Sequence, residues 1–135
     1  MTGPDDRLVR GEAMRRKVMS DAYVDSRKSG RNAFTGDLDD AITAMAWGEI
    51  WTRPGLDPRT RSVVTLTVTA TRGQWDEFRI HVRGALNNGL SVDELKEALL
   101  HMAIYAGFPT ARTGFKEAQV VIDTIAKEQQ DAAKG

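Results

Sequence analysis

Apolar residues recur at helical spacing along most of this chain, and the clearest pattern follows Gly73. The apolar stripe in this segment consists of Trp75, Phe78, Val82, Ala85 and Leu86. Because side chains three and four residues apart share one face of a helix, the pattern predicts a helix that ends at Gly89. Glu77 and His81 lie on the row beside the stripe, close enough to share a proton or a ligand. Such a pair suits proton transfer, although ordinary surface contacts have the same spacing.

Five other segments show helical periodicity, and turn residues separate them. Ser91 to Glu94 forms a capping box, which marks a helix start, and Gly107 to Pro109 stops that helix. We expect frayed tails at residues 1–6 and 129–135. The five predicted helices run from Arg7 to about Met19, from Ser20 to Ser29, from Thr35 or Asp37 to about Thr52, from Ser91 to Gly107, and onward from about Thr110 or Thr113.

Two features of these helices allow two interpretations each. Trp47 and Trp51 are one turn apart, which is typical of core residues but also of the wall of an apolar ligand pocket. Glu97 and His101 form a second pair with a spacing of four, and Tyr105 lies on the same row. Spacing alone does not rank this pair against the pair after Gly73.

The segment from Ser62 to Thr71 gives conflicting signals. It alternates threonine with apolar residues and is rich in β-branched side chains, which predicts a strand. Its entry through Asp57 and Pro58 is instead typical of a helix start, where an aspartate cap precedes a first-turn proline. On the local pattern alone, the prediction for this segment is a strand.

The composition is that of an ordinary single domain, which we expect to cover residues 1–135. Nineteen basic and nineteen acidic residues give a formal net charge of zero, so nothing favours nucleic acid or a membrane surface as a partner. The basic side of the first predicted helix could bind anions, but acidic neighbours favour a solvated helix or a cover over a neighbouring subunit. The sequence has no apolar run long enough to span a bilayer and no signal-peptide core, so we expect a cytoplasmic protein.

The absence of cysteine narrows the chemistry further. Disulfides, thiolate nucleophiles, iron–sulfur clusters and cysteine–zinc sites are all excluded. The two histidines, His81 and His101, are twenty residues apart and form no close-spaced motif. We therefore expect no metal site.

Five blocks of the sequence belong together: Trp47 to Leu56, Thr60 to Thr65, Glu77-x3-His81, Asn87 to Gly89, and Ala103 to Gly107. The Trp-Gly-x-Ile-Trp-Thr-Arg-Pro-Gly block is quite specific. Together these blocks resemble the carboxymuconolactone decarboxylase family, whose decarboxylase serves the protocatechuate branch of aromatic catabolism, and the likeness extends from about Arg10 to Lys127.

This resemblance implies an all-α fold of about six or seven helices, because the wider family includes the helical, oligomeric alkylhydroperoxidase D. It also implies a homo-oligomer, a trimer or a hexamer, and a helix instead of a strand from Pro58 to Arg72. Thiol-dependent members carry two cysteines, which fall here at Gln74 and Glu77, and a histidine that falls at His81. An acidic residue that assists those thiols falls at Ser62. Since this chain has no cysteine, their peroxidase chemistry is excluded.

The reaction implied by the resemblance is decarboxylation of γ-carboxymuconolactone to β-ketoadipate enol-lactone and CO2. This substrate is a small lactone with two carboxylates, and its own conjugated carbonyl accepts the electrons, so we expect no cofactor. We expect His81 to deliver a proton or stabilise the oxyanion, and Glu77 to keep His81 protonated or to pass the proton on.

The remaining expected roles concern substrate binding. Arg61 and Arg53 are the expected carboxylate ligands, since arginine presents a planar fork. Trp47 and Trp51 are the expected pocket walls, and His101 is expected in the core or at an oligomer contact. The alternative function is that of a thiol-free relative that has lost catalysis and serves as a ligand-binding or scaffolding oligomer.

Overall fold

The computed structural model of the chain describes residues 4–135, with side chains described from residue 6 onward. Within these residues there are seven α-helices, one π-helix and no strand, so the all-α prediction is confirmed. The elements are α1 (Pro4–Met19), α2 (Asp21–Ser29), α3 (Gly36–Ala41), the π-helix (Ile42–Ile50), α4 (Pro58–Thr71), α5 (Trp75–Asn87), α6 (Val92–Ala106) and α7 (Phe108–Lys134).

The chain forms two compact units, one reaching Arg61 and the other covering Ser62–Gly135. The prediction of one domain over residues 1–135 stays a prediction. Helix α7 continues to Lys134, through most of the tail predicted to fray, and α1 already begins at Pro4. The first three residues of the predicted N-terminal tail lie outside the described residues.

In the first unit, α1 packs along the π-helix at a very short distance. A Cβ atom at Gly11 would lie 2.0 Å from the backbone oxygen of Thr43, and one at Gly48 would lie 2.3 Å from the backbone oxygen of Arg7. Real Cβ atoms do not approach backbone this closely. The two helices therefore make contact through their backbones, which only glycine permits at these positions.

The basic side of α1 is engaged by carboxylates of its own unit. The Arg7 guanidinium lies 2.7 Å from Glu49, and the buried Arg15 lies 3.2 Å from Asp39. Arg16 bridges three further acidic side chains: Glu12, Asp21 and Asp25. These contacts argue against the interpretation of α1 as an anion-binding arm, whereas a cover over a neighbouring subunit stays a prediction.

The second unit has one apolar core, to which α4, α5, α6 and α7 contribute. Two arginines on the side of α5 facing α7 add ion pairs between these helices, from Arg79 to Glu117 at 2.7 Å and from Arg83 to Glu128 at 2.8 Å. Helix α5 is thus held between core packing on one face and charged contacts on another. The core residues are Leu66, Ala70, Phe78, Val82, Ala85, Leu90, Leu95, Leu99, Met102, Ala103, Ala111, Ala118 and Val121.

The strand predicted from the local pattern at Ser62 to Thr71 is wrong, because this segment lies within helix α4. The hydroxyls of Thr67 and Thr69 donate to backbone oxygens three and four residues earlier, at 2.8–3.2 Å. This bond is the means by which threonine fits a helix despite its branched Cβ. The buried positions of α4 also follow a spacing of four: Ser62, Leu66 and Ala70.

Helix ends largely follow the sequence signals. The capping box at Ser91 is formed, with both of its hydrogen bonds to Glu94 at 3.0 Å. Asp57 caps α4 by accepting the Thr60 N–H at 2.8 Å, and this bond lowers the pKa of the Asp57 carboxyl. Helix α7 begins earlier than predicted, at Phe108, because the first turn of a helix accommodates Pro109 without losing a hydrogen bond.

The backbone contact between α1 and the π-helix predicts a strong effect of a single methyl group. Gly11→Ala and Gly48→Ala should each lower the free energy of unfolding by about 1–3 kcal/mol or more, since backbone cannot yield as a side chain can. Gly55→Ala is the matched control, because no atom lies within 4 Å of the added Cβ. Urea denaturation of the three variants measures the effect, and three equal midpoints would show that the close contact is not required.

Candidate active site

His81 lies on the buried face of α5. Its neighbours on that face are Phe78, Val82 and Ala85, which are fully buried. The helical spacing of these apolar residues fixes the rotation of α5 and so carries the imidazole inward, leaving 8% of the residue exposed. The Nδ1 atom has no solvent exposure. A titratable ring is thus held on a rigid element at low exposure, as proton-transfer sites require.

Glu77 lies one turn before His81, but in a different environment. Its side chain is 57% exposed, whereas that of His81 is 10% exposed. The Oε2 atom of Glu77 lies 4.0 Å from Nε2 of His81, which is beyond hydrogen-bond distance. The two side chains are therefore near neighbours on one row of α5 without a hydrogen bond between them.

The other charged side chains of α5 are already engaged elsewhere. Arg79 is bound by Glu117 and Asp76, and the Glu117 hydrogen bond raises the pKa of the Arg79 guanidinium. Arg83 forms a two-pronged pair with Glu128, at 2.8 and 3.1 Å. These arginines are structural ties to α7, which leaves the Glu77–His81 row as the chemically distinct face of α5.

A buried polar contact between α4 and α5 was missed by the sequence reasoning. Ser62 is fully buried, and its hydroxyl oxygen accepts the side-chain amide of Asn88 at 3.5 Å. Asn88 lies two turns after His81 on the same row of α5. The signal was present, since Ser62 is the polar member of a stripe whose other residues, Leu66 and Ala70, are apolar.

The tryptophan-rich block does not form the continuous α-helix predicted from Thr35 or Asp37 to about Thr52. Helix α3 passes into a π-helix, and the Trp51 N–H donates to the oxygen of Ala46, five residues earlier, at 2.9 Å. Residues four apart lie close to one turn apart in this helix and so share a face. Trp47 and Trp51 accordingly stack, with ring centroids 4.6 Å apart and planes inclined by 23°. Such π-helical turns are rare and frequently occur at functional sites.

Both tryptophans are buried, at 4% and 9% exposure. Burial agrees with the core interpretation of the pair. Their use as the wall of a ligand pocket stays a prediction.

The Arg61 side chain binds the backbone of the loop that contains Arg53. The Arg61 guanidinium donates to the backbone oxygens of Arg53, at 2.9 Å, and of Leu56, at 3.2 Å. It thereby holds the loop that connects the π-helix to α4. The Arg53 side chain is exposed, and no ion pair links it to any residue between 4 and 135. Of the two, Arg53 presents the more available guanidinium.

His101 lies on the surface of α6, so its expected place in the core is wrong. Its ring tilts against that of Tyr105 at 5.3 Å, and no ion pair joins it to Glu97. Its other expected place, at a contact between subunits, stays a prediction. Burial thus distinguishes the two histidine pairs that spacing alone left equal.

Comparison with known proteins decides the family. The family model described as carboxymuconolactone decarboxylase family matches residues 36–119, from α3 into α7. The chain belongs to this family. The matched region includes the stacked tryptophans, both arginines and the Glu77–His81 pair.

Two relatives in this family are named decarboxylases. The 4-carboxymuconolactone decarboxylase of Acinetobacter baylyi is 39% identical over 121 residues, which is 90% of either chain. The nitrosuccinic acid decarboxylase of Metarhizium robertsii is 40% identical over 100 residues, covering 74% of this chain and 70% of the relative. An uncharacterised 15.0 kDa protein of Paracoccus denitrificans is 32% identical over 79 residues, 57% of this chain and 59% of the relative.

No helix within residues 4–135 has the length and apolar content needed to cross a bilayer. No three or more of their histidine and carboxylate side chains are grouped so that they could hold a metal ion.

The Arg61 contacts predict different effects of removing the two arginines. Arg61→Ala should lower the free energy of unfolding by about 1 kcal/mol or more, because two hydrogen bonds to the loop are lost. Arg53→Ala should change it by less than about 0.5 kcal/mol, as exposed substitutions usually do. Thermal unfolding followed by circular dichroism measures both. A larger loss of unfolding free energy in Arg53→Ala than in Arg61→Ala would show that Arg53, and not Arg61, stabilises the loop.

Proposed function

We propose that this chain is a cofactor-free 4-carboxymuconolactone decarboxylase of aromatic catabolism, a carboxy-lyase that forms β-ketoadipate enol-lactone and CO2. The observation that carries the proposal is the 39% identity to the Acinetobacter baylyi decarboxylase over 90% of both chains. A likeness of this extent covers the tryptophan block, both arginines and the buried histidine together.

The substrate itself explains how the reaction can proceed without a cofactor. When the carbon–carbon bond to the leaving carboxylate breaks, its electron pair moves through the ring double bond onto the lactone carbonyl. The resulting dienolate takes one proton at the ring carbon next to that carbonyl. The protein must therefore bind carboxylates, stabilise the developing oxyanion and supply one proton.

His81 is the proposed proton donor. A donor must be held in place and kept from random exchange with solvent, and the low exposure of His81 on α5 meets both conditions. Glu77 is the proposed source of the negative charge that keeps the ring protonated, from 4.0 Å away. Proton transfer from a positioned group is typically worth about 10²–10⁴-fold in rate.

Arg53 and Arg61 are the proposed carboxylate ligands, and Trp47 and Trp51 the proposed apolar walls. Since Arg61 also ties down its loop, we expect its loss to affect folding and binding together. The Arg53 side chain makes no such contact with the loop, so its removal should raise KM with little change in stability.

The name of the Metarhizium robertsii relative supports a second candidate substrate. Nitrosuccinic acid also has two carboxylates, and loss of CO2 beside its nitro group places the electrons on the nitro oxygens. Both substrates thus carry their own electron acceptor, conjugated through a double bond in the lactone and attached directly to the reacting carbon in nitrosuccinic acid. A non-catalytic ligand-binding or scaffolding oligomer is the remaining alternative, in which neither acid releases CO2.

We further propose a homo-oligomer, a trimer or hexamer with helices arranged as in alkylhydroperoxidase D, and a cytoplasmic location. The exposed apolar residues of α6 support self-association, because monomeric proteins rarely leave large apolar patches open to water. Sedimentation of the purified chain and fractionation of the source cells test the two statements.

Purified protein, dialysed against a chelator and given no cofactor, should release CO2 and enol-lactone from γ-carboxymuconolactone. His81→Ala should lower kcat at least about tenfold, because the proton donor is lost. Gas evolution and ultraviolet absorbance measure turnover, with circular dichroism and sedimentation confirming that fold and assembly persist.

The same assay with nitrosuccinic acid as a second substrate separates the candidate functions. Release from nitrosuccinic acid alone favours the second substrate, and release from neither acid favours the ligand-binding or scaffolding protein. Activity near that of the wild type in an intact His81→Ala protein removes His81 from the mechanism.

Glu77→Gln should act mainly on the pH profile. Removing the carboxylate removes a charge that favours the imidazolium, so the alkaline fall in activity should move to lower pH. Asp76→Asn is the matched control, since it makes the same change one residue earlier at a side chain that pairs with Arg79. If the pH profiles of both variants and the wild type superimpose, Glu77 is an ordinary surface residue and takes no part in proton transfer.

A further inference from the structure

Helix α1 carries four arginines, and one of them differs from the others in its contacts. Arg7, Arg15 and Arg16 are each bound by carboxylates of their own unit. Arg10 takes part in no ion pair within residues 6–135, although it is partly buried. It instead donates its Nε–H to the backbone oxygen of Gly48 at 3.3 Å. A partly buried guanidinium without a counter-ion is a candidate ligand for an anion from solution.

The contact with Gly48 determines where the Arg10 guanidinium lies. Carbonyl groups of a helix point toward its C-terminal end, so the oxygen of Gly48 faces the residues that follow it. The same oxygen accepts the hydroxyl of Thr52, four residues later, at 2.7 Å. The Arg10 guanidinium is therefore held at the end of the π-helix, beside the segment that contains Trp51 and Arg53.

Arg10 keeps the two-nitrogen fork that matches a carboxylate. Since the contact with Gly48 uses only Nε, both terminal nitrogens remain to bind the two oxygens of one carboxylate. Arg61 is less suited to this role, because it donates Nε and Nη2 to the backbone oxygens of Leu56 and Arg53. The exposed Arg53 makes no ion pair within residues 6–135. Arg10 and Arg53 are thus two arginines at the same end of the π-helix, and neither is bound by a carboxylate.

We propose that Arg10 is a further substrate-binding residue, which holds one carboxylate of the dicarboxylate substrate while Arg53 holds the other. The inference rests on the proposed function, because it concerns the substrate of that reaction. Arg10 lies before the region that the family model matches, residues 36–119. Both arginines and the two tryptophans proposed as pocket walls belong to the same compact unit.

The glycine contact between α1 and the π-helix prepares Arg10 for this role. A Cβ atom at Gly48 would collide with the backbone of α1, so only glycine lets Arg10 approach this carbonyl. Gly11, the next residue after Arg10, packs against the backbone of Thr43 in the same contact. The Arg10 side chain is thus fixed at its backbone and at Nε, and it has less freedom to lose when it binds an anion.

The charge of the ligand separates a binding role of Arg10 from a structural one. A dicarboxylate can use both arginines, whereas a monocarboxylate of the same shape can use only one of them. If Arg10 binds substrate, its removal therefore weakens the dicarboxylate much more than the monocarboxylate. If Arg10 only ties α1 to the π-helix, its removal weakens both ligands alike.

Succinate and monomethyl succinate test this difference, because they share one carbon skeleton and differ by one carboxylate. Arg10→Ala should raise the dissociation constant of succinate at least about tenfold and that of the monomethyl ester less than about threefold. Arg10→Lys keeps the charge without the planar fork, so it should recover only part of the affinity for succinate. Isothermal titration calorimetry measures binding without turnover, and circular dichroism confirms that each variant is folded.

Arg7→Ala is the matched control. It removes another arginine contact between α1 and the π-helix, but Glu49 already occupies that guanidinium at 2.7 Å. Both dissociation constants should therefore stay within about twofold of the wild-type values, a change that corresponds to less than one charge-assisted hydrogen bond.

Three results overturn the proposal: an unchanged dissociation constant for succinate in Arg10→Ala, equal weakening of both ligands, or no binding of succinate to the wild type. Release of CO2 from γ-carboxymuconolactone is measured on the same proteins. A wild type that binds succinate through Arg10 but releases no CO2 retains the binding site and rejects the decarboxylase. A wild type that releases CO2, with an unchanged KM in Arg10→Ala, retains the decarboxylase and rejects Arg10 as a ligand.

Discussion

The contact between Gly11 and Gly48 is the constraint on which the first unit depends. Where two helices touch through their backbones, no side chain can be inserted without moving one of them. Gly48 stands next to Trp47 in the π-helix, so the residue that permits close packing and the residue proposed to face substrate are neighbours. The family block Trp-Gly-x-Ile-Trp thus combines a structural requirement with a candidate binding feature, and a substitution there can disturb either.

The second unit places its chemistry on a helix that is fixed from several sides. Core packing holds one face of α5, while Arg79 and Arg83 tie another to α7. A side chain on such an element keeps its position through a reaction cycle better than one on a loop. The resemblance implies cysteines at the matching positions of thiol-dependent members, one of which is Glu77 in this chain. The proposed chemistry depends on charge and proton transfer alone.

Much of the fold was predictable because helical periodicity and end signals are local. The capping box at Ser91 and the aspartate cap at Asp57 were readable in this way. The strand error at Ser62 to Thr71 arose because β-branched residues favour strands only when no tertiary face selects a helix. The π-helix was not predictable. Its hydrogen bonds reach back five residues instead of four, and this difference does not show in the spacing of the apolar residues.

The candidate site was predictable only in part. Periodicity placed His81 near the buried face, but it did not separate the exposure of His81 from that of Glu77, because both lie on one row of the helix. The structural contact of Arg61 with its loop involves backbone oxygens, which the sequence does not reveal. The polar contact of Ser62 with Asn88 depends on which residues of α4 and α5 meet across the core.

The unequal exposure of Glu77 and His81 has a consequence for the supply of protons. In the proposed reaction the product retains one proton per turnover while CO2 leaves without any, so the donor must be recharged from water each time. A ring that is 10% exposed exchanges slowly with solvent, whereas a carboxylate that is 57% exposed exchanges freely. In the proposed mechanism Glu77, one turn away, passes protons from bulk water to the buried ring. The site can thus exclude water from the reacting carbon and still refill its donor between turnovers.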